Sequence, residues 1–204
     1  MKLIGYMDSP FVRRVAITAK CLGIDVEHEQ ISVLREYDRF SEINPLVKAP
    51  TLICDDGQLL VDSNLIIDYL VSRDGGGSLM PSDESGYVRA LWLTGVSLVA
   101  MEKTVQLIYE IEQRPESARH EPWAERCRGQ LAVALGLLEE AVGSLADEQW
   151  LCGSELTQAD ISTAVATRFT SIMFPDEIRS DRYPGLAAFS ARAEAQPAFE
   201  ACPI

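Results

Sequence analysis

The tetrapeptide Ser9-Pro10-Phe11-Val12 follows directly on the short apolar stretch Lys2-Leu3-Ile4-Gly5-Tyr6. A proline fixes its own φ and has no N–H, so it suits the first turn of a helix and neither a helix interior nor a strand centre. The stretch before it therefore reads as a strand and Pro10–Leu22 as a helix, with Gly23 at the position where helices end left-handed. Ser9 stands between them as the N-cap. A short strand handed straight into a helix calls for a βα unit and a sheet flanked by helices.

The next residues continue that alternation. Asp25–Ile31 reads as a strand and Arg35–Ile43 as a short polar helix. Thr51–Cys54 and Gln58–Val61 flank Asp55-Asp56-Gly57, a hairpin turn signal. Ser63–Val71 is a helix with Leu65, Ile66, Tyr69 and Leu70 on its apolar stripe. The order βαβ-α-ββα is that of a thioredoxin-like domain, here expected over residues 1–76. Arg73-Asp74-Gly75-Gly76-Gly77-Ser78 and Pro81 then punctuate the chain as a linker.

Beyond the linker only helical periodicity remains: Gly86–Gln113, Pro122–Leu145, Thr157–Phe174 and Pro184–Ala195. Residues 85–204 are expected to form an all-α C-terminal helical bundle. Leu156-Thr157-Gln158-Ala159-Asp160-Ile161 reads as a capping box with its hydrophobic staple. The helix Gly86–Gln113 carries more apolar residues than one bundle face needs, among them Leu91, Trp92, Val96, Val99 and Met101. A symmetric homodimer would cover the surplus.

Charge and cysteine usage narrow the function. A net charge of −13 argues against nucleic acid or a membrane surface as partner. An anionic ligand would need a locally positive pocket, which helix N-termini and a lysine can supply. No unbroken apolar run reaches the roughly 18 residues of a membrane span. Met1-Lys2-Leu3 leads straight into a strand rather than a signal peptide, so the expected setting is the cytoplasm. The five cysteines have no metal or redox spacing and read as reduced thiols, with no metal site implied. His28 and His120 lie far apart and read as surface or hydrogen-bonded histidines.

Three segments carry chemistry. Proteins of the thioredoxin type hold a redox Cys-x-x-Cys where this chain has Ser9-Pro10-Phe11-Val12. A hydroxyl there cannot exchange disulfides, but it can donate a hydrogen bond to a thiolate brought from outside. Lys48-Ala49-Pro50-Thr51 is the second segment. If its X-Pro bond is cis, the Ala49 backbone can pair with a peptide as an added strand. Asp62-Ser63 is the third, a helix start able to hold a carboxylate.

With Asn44-Pro45, Ile67, Tyr69-Leu70 and the Thr157-Gln158-Ala159-Asp160 box, these segments give the whole chain a resemblance to the cytosolic glutathione transferases. The closest likeness is to bacterial members that begin Ser-Pro-Phe-Val-Arg. The resemblance implies a thioredoxin-like domain, a helical domain, a homodimer and glutathione as co-substrate. Ser9 then matches the thiolate-activating hydroxyl. Ala49 would pair with the cysteinyl backbone of glutathione, Lys48 would lie near its glycine carboxylate, and Asp62 and Ser63 would hold its γ-glutamyl end. Phe11 belongs to the same binding set and would also help line an apolar pocket for a small electrophile, with the Met101–Tyr109 region, Phe169 and Met173.

Tyr6 is the rival for the sulfur, because some classes of the family use a tyrosine there; Ser9 is preferred. Arg13 and Arg14 read as a helix face, with Arg13 adding positive potential near the site. Where the family often has Gly-Lys-Val-Pro this chain has Val47-Lys48-Ala49-Pro50, and Asp62 replaces a frequent glutamate. Alternatives to a transferase are an interaction protein that kept the fold and a glutathione-dependent disulfide reductase.

Overall fold

The computed structural model describes residues 1–73, 78–146 and 149–204. Residues 74–77, the middle of the expected linker, lie outside the described residues. Two compact units make up the chain. One comprises Met1–Leu79 together with Ala195–Ile204, the other Met80–Glu194.

In the first unit β1 (Lys2–Ile4), α1 (Pro10–Cys21), β2 (Glu27–Glu29), α2 (Tyr37–Ile43), β3 (Thr51–Ile53), β4 (Leu59–Val61) and α3 (Ser63–Ser72) follow in the expected order. The sheet runs β2-β1-β3-β4. β1 and β2 are parallel because α1 carries the chain back between them, and β3 is antiparallel to β1 and β4. This is a thioredoxin-like mixed sheet.

Local chemistry sets the ends of these elements. α1 stops in a Schellman motif: Gly23 at φ +68° donates to the Lys20 carbonyl at 3.1 Å, and Ile24 to that of Ala19 at 2.9 Å. The β3–β4 hairpin closes through Cys54 N–H to Gln58 O at 2.8 Å, with Gly57 at φ +84°. Leu3, Val12, Val15, Ile17, Leu52, Ile66 and Leu70 are all buried. A second cluster joins Ile4, Ile31 and Phe40, with Val47 and Ala49 packed on it.

Sequence reading assigned residues 195–204 to the helical domain, but they pack with the first unit. The short helix α8 (Pro197–Glu200) lies against α1. Phe199 is fully buried there, under the buried Arg13 guanidinium at 5.8 Å from the ring centre. Arg13 Nε donates to the Cys202 carbonyl at 2.8 Å.

The second unit is helical: α4 (Glu84–Ile108), a π-helical turn Tyr109–Gln113, a 3-10 turn Glu116–Ala118, α5 (Glu121–Gly143), α6 (Gln158–Met173) and α7 (Pro184–Glu194). α6 is buried along most of its length. Its polar residues are paired: Thr163 with Ser97 of α4 at 3.0 Å, and Thr170 with Thr104 at 2.9 Å. The capping box is present. The buried Asp160 carboxylate accepts from Thr157 N–H at 2.8 Å, from the Thr157 hydroxyl at 2.6 Å and from Leu151 N–H at 2.7 Å. Burial raises its carboxyl above the usual range against the pull of those bonds. Glu139 of α5 caps α7, accepting from Gly185 N–H at 2.8 Å and Leu186 N–H at 2.7 Å. A Cβ at Gly185 would stand 2.9 Å from that carboxylate, which explains the glycine.

By length and mean hydropathy Glu84–Gln113 could cross a membrane, although the count of unbroken apolar residues pointed the other way. It packs against α5 and α6 as a core helix of its unit. Val96 and Met101, expected on its surplus apolar face, are buried in that core. Leu91, Trp92 and Val99 do remain exposed, at 51%, 61% and 40%.

Candidate active site

Strand register gathers the three chemical segments. Ile4 of β1 stands opposite Thr51 of β3, and Thr51 opposite Val61 of β4. The residues next in line, Gly5, Pro50 and Asp62, therefore leave the sheet at one end and in one row. The packing there is close. A Cβ on Gly5, at φ +135°, would lie 2.6 Å from the Val12 side chain and 3.1 Å from the Ala49 Cβ. Glycine is required if the turn into α1 is to touch the Ala49-Pro50 loop. His28 of β2 bonds the Gly5 carbonyl through Nε2 at 2.7 Å, so it is a hydrogen-bonded histidine, as expected.

Ser9 occupies the N-cap position of α1, but its side chain makes no capping bond, contrary to the simplest reading of a serine before Pro10. Its backbone is engaged: N–H to Tyr6 O at 3.1 Å, and C=O from Arg13 N at 2.9 Å. The hydroxyl is half-buried and has no partner among the described residues. The N–H groups of Phe11 and Val12, in the first turn, have no carbonyl within the helix. A hydroxyl without a partner among the described residues and two first-turn N–H groups at the positive end of a helix have the chemistry to receive an anion. Tyr6 is engaged otherwise, its ring stacked by the Arg35 guanidinium at 5.2 Å.

The Ala49–Pro50 peptide is cis. The carbonyl of exposed Lys48 accepts from the Thr51 hydroxyl at 2.7 Å, and Asn44 Nδ2 donates to the same hydroxyl at 2.8 Å. The half-buried Ala49 backbone has no hydrogen-bond partner among the described residues. Val47 has φ +47° and Asp62 φ +75°, the non-glycine residues with positive φ among those described. Such conformations cost about 1–3 kcal/mol each and tend to gather where a chain binds something. Val47 stands where the family pattern often has glycine, and its packing on the Ile4 cluster offsets that cost.

Asp62 caps α3, its carboxylate accepting from Asn64 N–H at 2.8 Å. Ser63 beside it is 3% exposed. The arginines of α1 correct the sequence reading. Neither lies on a solvated face, since each is only 1% exposed, and their parts are reversed. Arg13 turns to the C-terminal segment. Arg14 reaches the start of α3, donating through one terminal nitrogen to Ser63 Oγ at 2.9 Å and to Asn64 Oδ1 at 2.7 Å. Burial lowers its pKa to about 10 while Asp62 pulls the other way, so Arg14 is cationic at neutral pH. Two arginines inside the otherwise apolar run Val12–Ile17 were the signal: a helix without a polar face must bury its charges against partners.

The cysteines are free. Burial pushes Cys21 up to about 11 and raises Cys127, Cys152 and Cys202 as well, which makes them poor nucleophiles. Met101 and Phe169, expected to line a pocket for the electrophile, are buried in the helical core; Tyr109 is exposed on the π-helical turn.

The chain resembles known proteins over nearly its whole length. Residues 3–78 match the glutathione S-transferase N-terminal domain family, and residues 121–192 the glutathione S-transferase C-terminal domain family. Glutathione S-transferase 3 of Zea mays is 28% identical over 207 residues, 98% of this chain and 91% of its own length. A glutathione transferase family member from Pseudomonas fluorescens Pf-5, solved with bound glutathione, is 30% identical with TM-score 0.84, covering 100% of this chain and 99% of its own. A glutathione S-transferase of Methylobacterium radiotolerans, in complex with glutathione sulfonate, is 27% identical with TM-score 0.89, covering 98% and 93%.

Proposed function

The chain belongs to the glutathione S-transferase family, and from that premise we propose that it binds glutathione on residues 1–76 and activates the thiol for attack on a small hydrophobic electrophile. The observation that carries this reading is the Ser9 hydroxyl at the start of α1, which makes no capping bond and has no partner among the described residues. A thiol of pKa roughly 8.5 is mostly protonated at neutral pH. A hydrogen bond and a helix N-terminus both favour its anion and lower that value. The thiolate sulfur then forms a bond to an electrophilic carbon, and the displaced electron pair leaves with a leaving group or takes up a proton.

The other residues hold the peptide. The free N–H and C=O of Ala49 suit the cysteinyl backbone. Lys48 supplies charge for the glycine carboxylate, and Phe11 a half-buried apolar wall beside Ser9. Asp62 and Ser63 take the γ-glutamyl ammonium and carboxylate. The local positive ends of α1 and α3 reconcile an anionic ligand with a chain of net charge −13.

A ligand that binds only the folded state raises its melting temperature. Glutathione at 100 times its Kd should therefore add about 2.7 kcal/mol of stability, and the protein should be retained on immobilised glutathione. Unchanged melting together with no retention would leave an interaction protein that kept the fold.

Assembly as a homodimer is part of the same proposal, with the helical unit Met80–Glu194 supplying the contact. Leu91, Trp92 and Val99 of α4 line a groove of about 690 Å³ with Val133 and Leu137 of α5. Trp92 is 61% and Val133 64% exposed, more apolar surface than an isolated bundle needs. Light scattering should give twice the chain mass at micromolar concentration, and Trp92→Glu should give the monomer. A wild-type monomer throughout that range defeats this part.

A further inference from the structure

Between α6 and α7 lies a polar cavity that plays no part in the glutathione chemistry. Ala187, Ser190 and Ala191 of α7 stand three and four residues apart, on one face of their helix. They line the cavity together with Thr167 and Ser171 of α6. Side chains this small do not fill the space between two helices, and about 470 Å³ is left there. Ile178 and Tyr183, from the connection over residues 174–183, close it. The volume falls in the range of small-molecule sites.

The hydroxyls of the lining differ in what they have left to donate. Thr167 Oγ1 donates to the Thr163 carbonyl at 2.8 Å and Ser171 Oγ to that of Arg168 at 2.8 Å, so both protons are used within α6. Tyr183 and Ser190 are only 4% and 7% exposed, and neither hydroxyl has a hydrogen-bond partner among the described residues. Polar groups so deeply buried and unpaired carry a desolvation cost, which a bonding ligand removes. Burial pushes the Tyr183 phenol above its ordinary value, so it is a donor at neutral pH. Arg182 stacks on its ring at 5.1 Å and helps to fix it.

Arg168 supplies the charge. It is an exposed residue of the lining, and its guanidinium has no ion pair or hydrogen bond among the described residues. A guanidinium suits a carboxylate, which it can hold through two parallel bonds. Glu194 lines the same cavity and sets a limit: it favours a singly charged anion over a multiply charged one. Ile178, Ala187 and Ala191 add an apolar wall. We propose that this cavity is a second ligand site, for a small monocarboxylate whose apolar body carries a hydroxyl. The carboxylate meets Arg168 and the hydroxyl meets Tyr183 and Ser190. All of these residues belong to Met80–Glu194, and none is among those assigned to glutathione.

Calorimetric titration with 3-(4-hydroxyphenyl)propanoate tests the site, beside 3-phenylpropanoate and the amide of the first acid. The hydroxylated acid should bind with a submillimolar Kd and keep that Kd in saturating glutathione. The uncharged amide should bind roughly tenfold or more weakly, and the acid without its hydroxyl several-fold more weakly. Arg168→Gln, at an exposed position, should bring the acid down to the level of the amide. Tyr183→Phe should narrow the gap between the two acids. Ala191→Phe, also exposed, should block the cavity and abolish binding. If Tyr183→Phe fails to fold, the two exposed substitutions decide alone. No binding by the wild type overturns the proposal, and so does an amide that binds as tightly as the acid. Displacement of the acid by glutathione, or a Kd that Arg168→Gln and Ala191→Phe leave unmoved, puts the acid elsewhere and overturns it equally.

Discussion

Ser9→Ala should lower glutathione-conjugating turnover by one to two orders of magnitude. It removes one hydrogen bond to a charged sulfur, worth roughly 1.5–3 kcal/mol, and each 1.4 kcal/mol is about a factor of ten. The pH profile should move with it. The hydroxyl favours the thiolate and so holds the bound thiol below its free value; without it that pKa rises, and the rising limb of the rate shifts to higher pH. Glutathione affinity should change less, since Ala49, Asp62 and Ser63 still hold the peptide. Because the Ser9 side chain makes no capping bond, melting should also change little, by about 0.5 kcal/mol or less. Tyr6→Phe serves as the control. If it abolishes activity while Ser9→Ala leaves both turnover and the pH profile alone, the tyrosine holds the sulfur.

Removing residues 195–204 should be the most damaging change to the fold. Phe199 is fully buried, and truncating a buried phenylalanine costs about 3–5 kcal/mol. The deletion also takes the Cys202 carbonyl from the buried Arg13 guanidinium, and charged groups tolerate a lost partner poorly. Against a typical total of about 5–15 kcal/mol, the truncated chain should be largely unfolded or insoluble at 37 °C. The milder Phe199→Ala should lower the melting temperature by roughly 6–20 °C. Calorimetry showing the truncated chain melting within about 2 °C of the full one would mean that the segment only rests on α1.

These two changes differ in how far the sequence announced them. The placement of Ser9, Ala49 and Asp62-Ser63 at the ends of their elements was legible because each sits on a local rule: proline at a first helical turn, proline before a strand, a capping pair before a helix. Strand and helix order followed from periodicity, and the capping box at Thr157 from its own spacing. The partners of Arg14 and the place of the C-terminal segment were not legible. Arg14 meets Ser63 across 49 residues of chain, and Arg13 meets Cys202 across 189. No local propensity carries information over such separations. The free Ser9 hydroxyl was hidden for another reason. Sequence identifies a residue able to cap, whereas only the backbone geometry shows that it does not. Val47 at φ +47° is a similar case, a β-branched residue held against its preference by packing on Ile4, Ile31 and Phe40.

The return of Ala195–Ile204 to the first unit also bears on how the protein is made. Met1–Leu79 leaves the ribosome before Met80–Glu194, and Phe199 and Cys202 emerge only after it. At about 5–20 residues per second this delay is on the order of ten seconds. Throughout it the nascent first unit carries the Arg13 side chain and the face of α1 that Phe199 will cover, both still open to water or to a chaperone. Of the two units, the one whose synthesis starts earlier is therefore the one completed later, and a stop codon within α7 or α8 would damage a unit that begins far from it in sequence.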